Sequence, residues 1–446
     1  MAVADSRGVM HSTDNAASVA AYEAALNQFN RYRGDPVATI DAALAEDPDF
    51  AGGHILRAEL HISMWERSVL PAVGEALERL TALGNRLNER EASHAGAIRL
   101  WAEGDWDGAR ARLDRLLMDH PRDMLALQIG HLTDFYHGDR DNLHGRIARA
   151  EAHWTPDLQG YGFVRGMRAF GLEECGAYGQ AEEAGRHAIA LEPEDCWAQH
   201  AVAHVMEMQA RQAEGIAWME SRREFWAQED NAFAFHNWWH TALYNLDQGR
   251  PERALALYDA AVRPGDSQIQ LEMLDAVALL WRLHLQGVDC GRRWDRIADS
   301  YAAAGDFGFY VFNDMHAMMA FSASGREAEA DAVLAAAKAA ADAAHGTNAA
   351  MTRAVGLPIL NALKAFAAGR YAETVEQLLP VRYRAHAFGG SHAQRDILHR
   401  TLIEAALRDG QASLAQGLTG ERVALKRHCP FSWKLHERAR ALTAVH

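Results

Sequence analysis

What this chain lacks narrows its class first. Nowhere in its 446 residues is there a run of about eighteen uninterrupted apolar side chains, the length a bilayer-spanning helix needs. Basic excess is missing too. Lys and Arg number 45 against 60 Asp and Glu, a formal charge of −15, so neither nucleic acid nor an anionic membrane is expected as a main partner, because both select for a basic face. The only cysteines are Cys175, Cys196, Cys290 and Cys429. Their spacing fits neither a CxxC metal knuckle nor a small disulfide framework, which predicts free thiols in a reducing compartment. The opening stretch, Met1 to Ala17, is polar and has no signal-peptide core, so a cytoplasmic location is expected. Catalytic signatures are absent as well: there is no Walker A motif, no GxSxG elbow, no HExxH, and no Rossmann fingerprint in a strand-helix context. Gly160-Tyr161-Gly162 is glycine-rich but opens a helix, and is expected to be a turn.

What is present is helix former. Alanine, leucine, glutamate and arginine dominate, as in the run Ala328 to Ala344, whose helix propensity is high. From Ala16 onward one pattern recurs: an amphipathic helix, a turn at Gly-Arg, Gly-Asp or a variant, and a second helix often closed by Asp-Pro or Glu-Pro. The turns fall at Gly34-Asp35, Gly104-Asp105, Gly138-Asp139, Gly176-Ala177, Ala210-Arg211, Gly249-Arg250, Gly325-Arg326, Gly369-Arg370 and Gly410. Small residues keep step with them. Ala97 and Ala109 flank Gly104, Ala169 and Ala181 flank Gly176, and Ala242 and Ala254 flank Gly249. Such a register, with small residues where paired helices approach and glycine where the first helix ends, is that of tetratricopeptide repeats. The expected fold is all-α, a tetratricopeptide-like α-solenoid of divergent helix-turn-helix repeats. Residues 1–15 are expected to be a flexible N-terminus, 16–446 a single solenoid, and 424–446 a C-terminal capping helix. Gly265-Asp266-Ser267 and Gly305-Asp306 are expected to interrupt the array.

One stretch, Trp197 to Asp247, gathers unusual polar chemistry. His200 and His204 stand four residues apart, as do His236 and His240, so on helices each pair shares one face. Roughly the second, fifth, ninth and twelfth positions of a first helix face inward in such repeats. That register places Trp197, His200, His204 and Glu207 inward, then His236 and Trp239, with His240 beside them. It adds His94 and brings His316 near. Gly389 to Asp396, containing His392 and Asp396, is placed to close the site at a helix N-terminus. A lone histidine on a repeat is usually a hydrogen-bonded core residue, which is the plain reading of His94 and His316. Trp218, Trp226 and Trp238 fall outside the inward row and are expected in the core.

For the group His200, His204, Glu207, His236 and His240 three uses stand open. The four histidines are candidate ligands for zinc or another divalent metal, since imidazole pairs at this spacing are permissive for it. Alternatively His204 or His236 acts as general base with Glu207 orienting it, while Trp197, Trp239, His316, His392 and Asp396 hold a substrate. The third use is recognition without chemistry.

The runs Phe163 to Glu174, Asp195 to Gln209 and His236-Asn-Trp-Trp-His240, supported by Asp49 to His54, Leu279 to Leu283, Phe312 to His316 and Gly390 to Asp396, resemble the tetratricopeptide repeat protein 38 family. The resemblance implies a helical-repeat superhelix and a soluble intracellular protein. It brings no catalytic residues with it. Where that family's turn is expected to read Gln-Gly-Arg, this chain has Gln209-Ala210-Arg211, a change expected to alter only the helix ending. The leading expectation is an enclosed pocket for a small organic molecule, with hydrolase-type acid-base or metal-assisted chemistry. The competing one is an adaptor gripping a peptide or partner protein in its groove. Oligomeric state is left open, a homo-oligomer included.

Overall fold

Every turn marked by the glycine register ends a helix in the computed structural model, which describes residues 2–443. The left-handed backbone that stops these helices is adopted by Gly104, Gly138, Gly176, Gly249, Gly325, Gly369 and Gly410, a conformation cheap only for glycine, while Tyr32, at φ 54°, ends Ala16–Arg31 ahead of Gly34. At the equivalent position Ala210 takes φ 56°, so a Cβ sits where the other turns have none. The aspartates after three of these glycines start the next helix. Asp35, Asp105 and Asp139 accept the backbone N–H groups of Ala38, Gly108 and Asn142, donors that a helix otherwise leaves open. Gly160, at φ 91°, opens the helix Tyr161–Glu174, the turn expected of it. The fold is all-α and tetratricopeptide-like, with one two-stranded hairpin among the described residues.

The chain divides into two compact units, and the division falls inside the helix Cys196–Met208. The first unit runs through Val202 and takes in Phe225–Phe233 and His345–Thr347. Its helices pack as consecutive pairs: Ala16–Arg31 with Pro36–Glu46, Ala51–Ile62 with Leu70–Leu83, Glu89–Ala102 with Trp106–Asp119, Met124–Tyr136 with Arg140–Glu151, and Tyr161–Glu174 with Tyr178–Leu191. The N-terminal residues expected to be flexible carry structure instead. Val3–Ala4 pairs antiparallel with Met10–His11, and Asp5 accepts the N–H groups of Arg7 and Val9 at the bend. The hairpin is pinned by Met10, whose carbonyl accepts from Asn88 and Arg90, and by Ser12, whose N–H donates to Glu91. These partners lie about eighty residues away, which sequence-local reasoning does not reach.

The second unit comprises Ala203–Glu224, Ala234–Ala344 and the chain from Asn348 onward. Its helices Ala234–Asp247, Gln270–Leu285, Val311–Ala323 and Leu357–Ala367 lie side by side in chain order, and His392–Arg408 returns to pack on Gln270–Leu285. That return buries Gln270–Leu285 on almost every face, as its apolar sequence all round requires. Gly265 to Ser267 and Gly305-Asp306, expected to interrupt the array, flank a complete pair made by Gln270–Leu285 and Arg293–Ala304. The turn between them, at Gly287 with φ 76°, lacks the Gly-Arg or Gly-Asp dipeptide and so escapes the pattern. At the C-terminus Ala424 still belongs to the helix Ala412–Leu425, and the last helix starts at Pro430, where proline is tolerated in a first turn. Residues 444–446 of the expected capping helix, and Met1, lie outside the described residues.

Candidate functional site

In the second unit, three of the candidate histidines meet. His236 and His240 stand one turn apart on Ala234–Asp247, and His204 reaches them from the neighbouring helix, which is held there by the Tyr244 hydroxyl donating to the Ala203 carbonyl at 2.5 Å. The His204 and His240 ring centroids are 4.5 Å apart and those of His236 and His240 4.9 Å. One ring nitrogen from each of the three lies within 4.8 Å of the others'. All three residues are buried, His204 and His240 completely. Burial, then the neighbouring imidazoles and cations, holds the His204 and His240 pKa values well below the ordinary 6.5, so both rings are neutral at physiological pH. His236 Nδ1 is 2.6 Å from the Asp275 carboxylate, and its ring stacks on Trp239 at 5.3 Å. Trp239 is also faced by the Arg282 guanidinium at 5.2 Å.

A buried ionic framework borders these rings. Lys426 donates to Glu207 at 2.8 Å. Burial lowers the Lys426 pKa, but Glu207 together with Asp396 and Asp247 more than offsets this and leaves it raised. Arg400 bridges Asp247 at 2.8 Å and Asp396 at 2.6 Å, and Asp396 also receives Arg422 at 2.5 Å. Burial pushes the Asp396 carboxyl up, but these two guanidinium groups hold it well below the usual range. Arg282 bonds to the carbonyls of Ala278 and Ala393 at 2.9 and 2.7 Å. Burial lowers its pKa to about 10, and among the described residues it pairs with no carboxylate.

Trp197 and His200 fall in the first unit, where Trp197 donates to His131 at 3.1 Å and packs on Phe170, His200 and Phe233. Glu207 is held by Lys426 at 2.8 Å, and the carboxylate on His236 Nδ1 is that of Asp275. His316 is buried with Nδ1 on the Phe312 carbonyl at 2.8 Å, its pKa pulled down to about 3 by burial. His392 starts its helix close enough to His204 to act on it electrostatically, beside an N-terminus already capped by Ser391 and Gln394. Of the three tryptophans expected in the core, Trp218 and Trp226 are buried and Trp238 is half-buried under Arg223 at 4.9 Å. Asp275, Arg282, Arg400, Arg422 and Lys426 have no motif around them. The one signal available was charge on helices otherwise apolar, Asp275 and Arg282 within Gln270–Leu285.

The first unit has two polar features of its own. His94 is fully buried between Glu59, 2.8 Å from Nδ1, and Asp123, 2.9 Å from Nε2, with Arg90 on Asp123 at 2.7 Å. Burial lowers its pKa, the two carboxylates raise it further, and the balance stands at about 9. Nearby, a groove of about 480 Å³ runs between the N-terminal hairpin and the loops around His120 and His153, lined among others by Arg7, Asn88, Arg90 and Arg122. Arg7 and Arg90 each keep one N–H, on Nε and Nη2, without an acceptor.

No family model matches the chain. Among solved structures it is similar to yeast Tom70, at 14% identity and TM-score 0.36 over 96% of this chain and 87% of that one. It is also similar to the APC/C hetero-tetramer Cut9-Hcn1, at 14% identity and TM-score 0.39 over 95% and 84%, and to the human IFIT1 dimer with PPP-AAAA, at 14% identity and TM-score 0.40 over 95% and 100%. None of these likenesses bears on function at such scores. Among the described residues no helix is long and apolar enough to cross a membrane, and the four cysteines form no disulfide.

Proposed function

We propose that the protein is a non-catalytic tetratricopeptide-like scaffold that binds a partner protein through an acidic segment, and that it works in a reducing, cytoplasmic setting akin to that of the tetratricopeptide repeat protein 38 family. The observation that carries this reading is the groove of about 480 Å³ in the first unit. Arg122, whose exposed side chain stands on its rim, is the cation this groove offers to solvent. A carboxylate-bearing segment pairs with Arg122 there, and charge-assisted bonds of this kind are the stronger ones. The test is fluorescence anisotropy with acidic and basic peptide pools, comparing wild type with Arg122→Glu. Binding of acidic peptides that weakens tenfold or more in the variant is the expected result. Peptides that bind both proteins alike, or neither, refute the reading.

A second reading, the small-molecule enzyme, is favoured by the His236–Asp275 pair, whose 2.6 Å contact is how a general base is oriented. Turnover of an ester or amide panel that disappears in Asp275→Asn is the result that would establish it.

A further inference from the structure

The geometry points to a divalent transition-metal site made by His204, His236 and His240, with Asp275 as the residue that orients His236. This inference concerns the second unit alone and does not depend on the peptide groove. Imidazole nitrogen is a favoured donor for zinc, copper, nickel and cobalt. Two donors come from adjacent turns of Ala234–Asp247 and the third from the facing helix, so the set is held by rigid elements rather than by a loop. Each pair of neighbouring rings meets at a steep angle, 62° for His204 with His240 and 88° for His236 with His240, instead of lying flat against one another.

Donor nitrogens within 4.8 Å of one another are wider than the about 3.3 Å of a tetrahedral zinc site with bonds of ~2.0–2.1 Å. Ring rotation of roughly an ångström at each donor closes the difference. The Asp275 carboxylate lies 2.6 Å from His236 Nδ1 and orients the ring, the arrangement repeatedly found behind metal-bound histidines that bind through Nε2. The bordering carboxylates of Glu207, Asp247, Asp275 and Asp396 face the cations Lys426, Arg282, Arg400 and Arg422, so an added cation does not enter a wholly positive interior.

The experiment uses tag-free full-length protein stripped with chelator, titrated with Zn²⁺ by calorimetry and with Co²⁺ by visible absorption. Wild type is expected to bind one ion per chain and to show the intense d–d bands of tetrahedral Co²⁺ with nitrogen donors. His240→Gln is expected to weaken binding by 100-fold or more. Asp275→Asn, which keeps all three ligands, is expected to weaken it about 10- to 100-fold. Circular dichroism of each variant separates loss of site from loss of fold. Absence of stoichiometric binding overturns the proposal, and so does binding that persists unchanged in both folded variants, which would mark adventitious capture by exposed histidines.

Discussion

Replacing His94 with glutamine tests the charge logic of the first unit most directly. The imidazole is fully buried and shared by Glu59 and Asp123, and its pKa moves from the ordinary 6.5 to about 9. Below pH 6.5 both the folded and unfolded chains hold this proton, and its stabilising effect is fully present. Between 6.5 and about 9 the unfolded chain has lost the proton while the folded one keeps it, so stability falls as pH rises, by up to ~1.4 kcal/mol per pH unit. Over that window the site accounts for about 3 kcal/mol, a large share of a typical domain's stability. Glutamine is near in size and uncharged. It should be destabilising at pH 6 by roughly the same amount and should flatten the pH dependence. Urea unfolding at about pH 6 and pH 9.5, with hydrogen exchange of Glu89–Ala102 to report the first unit alone, measures both. Other titrating groups are common to the two proteins and cancel in the comparison. Equal loss of stability by wild type and variant across this range would show that His94 is not protonated in the folded state.

Ala210→Gly should stabilise the second unit by about 1 kcal/mol, because it relieves a left-handed alanine at φ 56°, and its melting temperature should rise. Gly171→Ala should destabilise the first unit by about 1–3 kcal/mol, since a Cβ there would lie 2.8 Å from the backbone Cα of His144 and must push two helices apart; a melting temperature equal to wild type would refute this contact. Asp396→Asn should cost about 3–5 kcal/mol, the penalty for stranding buried charge, because Arg400 and Arg422 both rest on that carboxylate; chemical denaturation checks it. At the acid end, His131 and His316 are held by burial at about 3. Their contribution is present above pH 6.5 and lost as pH falls toward 3, at up to ~1.4 kcal/mol per pH unit each, so His316→Leu should shallow the acid unfolding curve.

Legibility of the chain followed the range of the interactions. Left-handed glycines and aspartate caps act within a turn of themselves, so the helix pairs could be placed from Gly104-Asp105 or Gly138-Asp139 alone. The pair on either side of Gly287 was missed because its turn carries neither dipeptide. Spacing of four residues correctly put His236 and His240 on one face, and the inward register brought His204 to them. It failed for Glu207 because position on a helix face says where a carboxylate points, not which cation arrives. Lys426 arrives from 219 residues away and Asp275 reaches His236 across 39. His94, read singly as a hydrogen-bonded core residue, is one, but its two acidic partners come from separate helices.

The order of synthesis gives the Lys426 contact a further meaning. Glu207 and Asp247 are made early in the second unit, yet Lys426 and Cys429, which reach them, follow 219 and 182 residues later. Until then those carboxylates have no lysine or thiol to meet and cannot be sealed from water without penalty. A nascent polypeptide therefore keeps this interior open until the stretch around Cys429 has emerged, and closure of the unit reports that translation has passed it.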